Sequence, residues 1–230
     1  MKQALTILTA AVVLIMTSCN NQPKPADTTA PTTAKPALIS YKAMVVQHTV
    51  KDFDSWNAAF NKRDSLFKAN GITDASIARV LGDENNVIVA FTISDLQKAK
   101  DLISSPMAKE AMMSDGVTGT PSIGYWNVLR DDTSFLANKE RVMITHHVKD
   151  FDTWLKAYDA EGVAARAANG MMDRVLARGI DDPNSVSLIF AITDTAKANA
   201  RMNSPELKKI MTDGGVDGPV TVTHFKWVKL

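Results

Sequence analysis

An α+β fold, two tandem β-α-β-β-α-β units closed into one pseudo-dimeric barrel, is what this 230-residue sequence predicts. Three observations predict it. One segment occurs twice about a hundred residues apart, far beyond the period of solenoid repeats. Inside each copy, short β-branched runs alternate with helical ones in a fixed order. A single four-stranded sheet with helices on one face leaves its other face bare, and two copies in one chain can cover each other.

The repeat opens with His48-Thr49-Val50-Lys51-Asp52-Phe53-Asp54-Ser55-Trp56, which returns as His146-His147-Val148-Lys149-Asp150-Phe151-Asp152-Thr153-Trp154. Register is kept further on. Asn70-Gly71 matches Asn169-Gly170, Ala78-Arg79 matches Ala177-Arg178, Ser105-Pro106 matches Ser204-Pro205, and Gly116-Val117 with Gly119 matches Gly215-Val216 with Gly218.

Each unit begins with a strand, 44–50 or 142–148, followed by Asp52 or Asp150 as a helix N-cap. One helix then runs to Asn70 or Asn169. Phe53, Trp56, Phe60 and Phe67 recur along it at helical spacing, as do Phe151, Trp154 and Tyr158, and Gly71 or Gly170 ends it. A hairpin follows, with strands 76–81 and 87–92 in the first copy and 174–179 and 186–192 in the second, around Gly82-Asp83-Glu84-Asn85 and Asp181-Asp182-Pro183-Asn184. Asp95 and Asp194 cap a second helix, which the Ser-Pro pairs restart because proline suits a first helical turn. A last strand, 122–129 or 220–228, completes the unit.

This is the split βαβ order of ferredoxin-like folds. With the His-x-Val-Lys-Asp-Phe-Asp-x-Trp opening and the late Gly-Val-x-Gly segment, both halves resemble the dimeric α/β-barrel superfamily, which includes antibiotic-biosynthesis-monooxygenase-like and stress-responsive barrel domains. The resemblance implies two ferredoxin-like units, 39–130 and 141–230, joined by a connector at 131–140 and packed as an intrachain pseudo-dimer, with the chain expected to be a monomer. Members of that superfamily include oxygenases, isomerases and haem-handling proteins, so activity has to be argued from the site.

Residues 1–18 have the organisation of an export signal, with Lys2 ahead of an apolar run too short to span a bilayer as a helix. Cys19 is the only cysteine, which excludes an intramolecular disulfide. Met16-Thr17-Ser18-Cys19 resembles the lipobox of bacterial lipoproteins. That resemblance implies cleavage before Cys19 and its lipidation, and Asn20 in place of an aspartate implies the outer membrane, on the periplasmic side. The segment 19–38, with Pro23, Pro25, Pro31 and Pro36 among threonines and alanines, is expected to be a tether. Lys and Arg number 26 against 25 Asp and Glu, with no basic run, so nucleic acid is not an expected partner.

His48 and His146 share the apolar face of their strands with Met44, Val46 and Val50 or with Val142, Ile144 and Val148. They are either bases or ligand-positioning groups in a pocket, or core histidines satisfied by a backbone carbonyl; with no partner evident, the core reading is the expected one. His147 points to the opposite face from His146. Pairing of the last strand with the first is expected to bring His224 beside one of these histidines, with Tyr125 in the matching place of the first half. No metal-ligand spacing occurs, and no metal or resident cofactor is expected. Trp56 and Trp154 read first as core residues that donate one indole hydrogen bond, and second as an aromatic wall for a planar ligand. Arg79 and Arg178 leave two readings open: inward and requiring a carboxylate, or outward and solvated. The methionines, Met112, Met113, Met171, Met172, Met202 and Met211 among them, read as core or as adaptable lining.

The preferred function is binding of a small apolar or aromatic ligand, or of a partner, through a barrel-fold pocket. The alternative is a cofactor-independent monooxygenase in which His48 or His146 takes a proton from a phenolic substrate, and a weaker one is haem handling with a histidine as axial ligand.

Overall fold

The computed structural model describes residues 40–229. The leader, Cys19 and the tether expected over 1–38 lie outside the described residues. The first repeat runs β1 (Tyr41–Val50), α1 (Phe53–Asn61), α2 (Asp64–Ala69), β2 (Ile72–Val80), β3 (Asp83–Ile93), α3 (Leu96–Ser104), α4 (Pro106–Ser114) and β4 (Val117–Asp131). The second runs β5 (Glu140–Val148), α5 (Phe151–Glu161), α6 (Val163–Ala168), β6 (Met171–Gly179), β7 (Ser185–Ile192), α7 (Thr195–Met202), α8 (Pro205–Asp213) and β8 (Val216–Lys229).

The expected caps form. Asp52 and Asp150 each accept a backbone N–H three residues on at 2.8 Å, and Ser105 and Ser204 do the same for α4 and α8 at 3.1 Å. The expected single first helix is instead two pieces in each repeat. In the first repeat, the bend after Asn61 lets Phe60 and Phe67 meet at 5.3 Å and lets both reach Phe91, at 6.0 and 5.3 Å. In the second, the break falls at Gly162, φ +83°, one residue more than the first copy carries.

All eight strands form one closed antiparallel barrel in the order β1-β3-β2-β8-β5-β7-β6-β4. The two sheets cover each other's bare faces as expected, and their edges also hydrogen-bond, β2 to β8 and β4 to β6, so no open strand edge remains in the barrel. β4 and β8 start well before the expected 122 and 220. Gly119 and Pro121 conceal this in the sequence; they lie where the β1–β4 register shifts, and such an irregularity tolerates the missing N–H of proline.

Strand alternation then assigns two interiors. Met44, Val46, His48 and Val50 point outward, to the helices, and pack with Phe53 and Trp56. Val142, Ile144 and Val148 do the same with Phe151 and Trp154. Tyr41, Ala43 and Val45 point into the lumen, where small clusters join the two repeats, Ala43 with Val128 and Ala177, and Ala78 with Ile88 and Phe225.

Gly170 closes α6 at φ +74°, and a Cβ there would lie 2.5 Å from the Asp194 carbonyl oxygen. Gly170→Ala is therefore expected to lose about 2 kcal/mol in urea unfolding; a loss under about 0.5 kcal/mol would show that the turn relaxes freely.

Candidate functional site

β1 carries His48 beneath α1, and one turn of helix beyond the Asp52 cap places Trp56 over it. The two rings meet edge to face at 5.3 Å, and Trp56 stacks in turn on Phe60 at 5.0 Å. Together with Phe67, Phe91 and Met112 they line a cavity of about 110 Å³ between sheet and helices. Its mouth lies between α2 and α4, where Leu66 and Met107 are exposed. Arg63 clasps Asp115 at this rim with contacts of 2.6 to 2.9 Å.

His48 is 9% exposed, and both its ring nitrogens are buried without a hydrogen-bond partner among the described residues. The same holds for His146, 5% exposed. This corrects the expectation of core histidines satisfied by a carbonyl. Burial alone lowers each imidazole from its ordinary 6.5 to about 4, so both are neutral at pH 7 and each presents one unused donor and one unused acceptor.

The second repeat repeats the arrangement with different chemistry. His146 meets Trp154 at 5.5 Å and Trp154 stacks on Tyr158 at 5.2 Å, beside a cavity of about 90 Å³. Where the first pocket has Phe67, this one has Arg166, 6% exposed, which lies 3.8 Å over the Tyr158 ring and binds Asp173 at 2.8 and 2.7 Å. The Tyr158 hydroxyl donates to Asp173 at 3.0 Å, and Arg201 reaches Glu161 at 2.7 Å. Burial works against the Arg166 charge, but the hydrogen bond to Asp173 and the neighbouring Tyr158 and Glu161 outweigh it and raise its pKa. Burial and Asp173 hold the Tyr158 phenol far above its usual value. The first pocket is thus walled by aromatic rings, and the second is braced by an ionic network.

The other sequence candidates lie elsewhere. His147 sits at one end of the barrel, where Nδ1 lies 2.5 Å from Asp217 and Nε2 lies 3.5 Å from Asp182; the hydrogen bond and charge of Asp217 raise its pKa. His224 pairs across the sheet with Val142, and Tyr125 with Met44. Their correspondence is as expected, but each is four strand positions from the histidine it was expected to adjoin. Lys100 covers the Tyr125 ring at 4.8 Å. Arg79 and Arg178 match neither alternative fully: each is partly exposed, lies over a ring, Phe53 or Phe151, at 4.3 and 4.4 Å, donates at 2.6 Å to a carbonyl of its own hairpin, Glu84 or Pro183, and faces a carboxylate, Glu84 at 2.9 Å or Asp152 at 3.9 Å. Neither indole of Trp56 and Trp154 makes the expected hydrogen bond among the described residues, while both line a pocket. Met112, Met171 and Met211 line pockets, whereas Met113 is exposed. Cys19 lies outside the described residues. Among those residues, no group of three or more His, Cys, Asp or Glu could hold a metal ion, and no helix is long and apolar enough to cross a membrane.

Sequence reasoning missed Arg63, Arg166, Asp173 and Arg141. The last two arginines are visible on aligning the repeats, because Arg166 stands opposite Phe67 and Arg141 opposite Ala43.

No protein-family model and no curated protein matches the chain. Solved structures do. An anthrone oxidase-like protein superposes with a TM-score of 0.58 at 12% identity, over 83% of this chain and 94% of that one. A candidate chlorite dismutase gives 0.52 at 15% identity over 83% and 96%, and a candidate monooxygenase from Fusobacterium nucleatum gives 0.51 at 13% over 83% and 93%. The shared feature is the fold: this chain is a tandem ferredoxin-like α/β barrel, with the two halves of a dimeric barrel fused in one polypeptide.

Proposed function

We propose that this protein is an envelope lipoprotein, anchored through Cys19 to the outer membrane on its periplasmic side, that binds a small aromatic molecule in the helix–sheet pocket of its first repeat. The lipobox-like Met16-Thr17-Ser18-Cys19 and the proline-rich segment after it support the anchor. One observation carries the binding function: His48 keeps two unpaired polar atoms buried at a ring-lined cavity whose other charged residues, Arg63 and Asp115, are bound to each other at its rim. Leaving such a group unsatisfied costs about 1–3 kcal/mol and gives the core nothing in return. A ligand hydroxyl satisfies it.

The cavity of about 110 Å³ is near the size of an engineered cavity of roughly 150 Å³ in another protein that accepts benzene. A single aromatic ring with one hydroxyl fits both its volume and its chemistry. Haem does not fit, since the pockets that carry histidines fall well below the roughly 300 Å³ at which drug-sized sites begin. The names of the fold neighbours suggest oxygenase chemistry. A base that must take a phenolic proton works best with a pKa near the working pH, however, and an imidazole held down to about 4 is a weak one. Binding is the better account.

Calorimetry with phenol and toluene tests it. Phenol is expected to bind more tightly than toluene, and His48→Leu to weaken phenol about 5-fold while leaving toluene unchanged, as the loss of one hydrogen bond requires. Equal binding of phenol by both proteins would remove His48 from the site, and no binding of either ligand at millimolar concentration would remove the pocket.

A further inference from the structure

The barrel lumen holds a third cavity, of about 460 Å³, at the end covered by the connector. It lies on the opposite face of the sheet from the helix–sheet pockets, and residues of both repeats build it. Trp126 and Trp227 supply large apolar walls, and Ser76 and Ser187 lie among the lining residues. Its size is within the range of sites that enclose a whole small organic molecule.

The hydrogen bonds of the fold account for only part of one side chain in it. Arg141 lines this cavity at 4% exposure, and no carboxylate pairs with it among the described residues. Its Nη1 donates to the carbonyls of Asn138 and Glu140, both at 2.8 Å, which leaves Nε and Nη2 without partners there. Of the other charged groups in the lining, Arg174 and the two aspartates are engaged, while Lys139 makes no ion pair among the described residues. Arg174 binds Asp132 at 3.2 Å, and Tyr41 donates to Asp131 at 2.8 Å. Burial and the neighbouring Arg174 both work against the Arg141 charge. With Nη1 engaged and Nε and Nη2 open to the cavity, beside a second arginine, the guanidinium is placed to grip an anion. The first repeat has Ala43 at the matching place, so the barrel does not require an arginine there.

We infer that the lumen is a second ligand site, separate from the helix–sheet pockets, and that it takes a small organic anion: a carboxylate on an aromatic or apolar body, with Arg141 gripping the carboxylate and the tryptophans facing the body. The guanidinium fork matches a carboxylate in shape, and Trp126, Trp227, Val45 and Ile189 supply an apolar wall for an organic body.

Calorimetry with 1-naphthoate tests this, using 1-naphthamide as the uncharged isostere. The purified protein is expected to bind the naphthoate and to bind the amide at least 10-fold more weakly. Arg141→Gln is expected to lose about 10- to 100-fold for the naphthoate and nothing for the amide, since a hydrogen-bonded charge pair is lost. Arg141→Lys keeps the charge without the fork and should fall between the two, which provides a second reading if the glutamine variant unfolds in a thermal melt. His48→Leu should leave naphthoate binding unchanged. Equal binding of acid and amide, unchanged binding by both Arg141 variants, loss on His48→Leu, or no binding of naphthoate at 1 mM would each overturn the inference.

Discussion

Lowering the pH from 7 to 4 is expected to remove roughly 6 kcal/mol of stability, most of it between 6.5 and 4. His48 and His146 are neutral in the fold because burial lowers each to about 4, while in the unfolded chain each takes up a proton near 6.5. Across that window the unfolded state binds more protons, so stability falls as pH falls. One pKa unit is about 1.4 kcal/mol, which makes each histidine worth roughly 3 kcal/mol once the pH is below its folded value. The other shifted groups act outside the window. Asp52, Asp132, Asp150 and Asp182 have lowered pKa values, and the stability they contribute is lost as pH falls below the ordinary carboxylate range. His147 is raised by Asp217, so its contribution is already complete below the ordinary histidine value and fades only as pH rises through its folded one. Urea unfolding at half-unit steps from pH 7 to 4.5 measures the effect. The double variant His48→Leu, His146→Leu should be nearly flat over this range and no less stable than the parent at pH 7, because leucine removes the unsatisfied ring nitrogens and can itself pack against Trp56 and Trp154 in place of the edge contacts. A parent and a double variant with the same pH dependence would mean that the two imidazoles are solvated or paired.

Asp173→Ala should cost about 3–5 kcal/mol, because it breaks a buried ion pair from one side. Arg166 is 6% exposed and held by two contacts to this carboxylate, with Glu161 at 3.4 Å as the remaining counter-charge and Tyr158 also bonded to Asp173. Removing Asp173 leaves a buried guanidinium underpaired and a buried phenol without its acceptor. The loss is expected to be largely reversed by Arg166→Phe in the same chain, since that restores the aromatic side chain that Phe67 supplies in the first repeat and takes away the orphaned charge. Thermal and urea unfolding of the two single variants and the double variant decide it. A cost under about 1 kcal/mol for Asp173→Ala, or no recovery in the double variant, would show that Glu161 and water already carry the arginine.

The repeat made the architecture legible because both copies report the same elements. His48 and His146, Asp52 and Asp150, and the two Ser-Pro restarts each fix an element twice, and the closed barrel follows from the bare face each sheet would otherwise leave. Strand ends were less legible where Gly119 and Pro121 resemble a turn and sit instead in an irregular strand. The helix break after Asn61 carries no glycine or proline, and it is set by the meeting of Phe60, Phe67 and Phe91 from three elements. In the candidate site, the sequence placed His48 and Trp56 on facing apolar surfaces but not the absence of any partner for the imidazole, which depends on every neighbour in the fold. Arg79 and Arg178 stand out in the sequence because they recur. The arginines with buried roles, Arg141 and Arg166, are the ones that do not recur, and a difference between copies was the more informative signal.

The most direct test of the central claim is long-range proton–nitrogen NMR of the histidine side chains from pH 7 to 4, with and without saturating phenol. The expected result is a His48 ring that stays neutral down to about 4, with the signal of one ring nitrogen moving when phenol is added at pH 7. A His48 ring that titrates near 6.5, or that ignores phenol at saturation, would contradict a buried, unpaired imidazole waiting for a ligand hydroxyl.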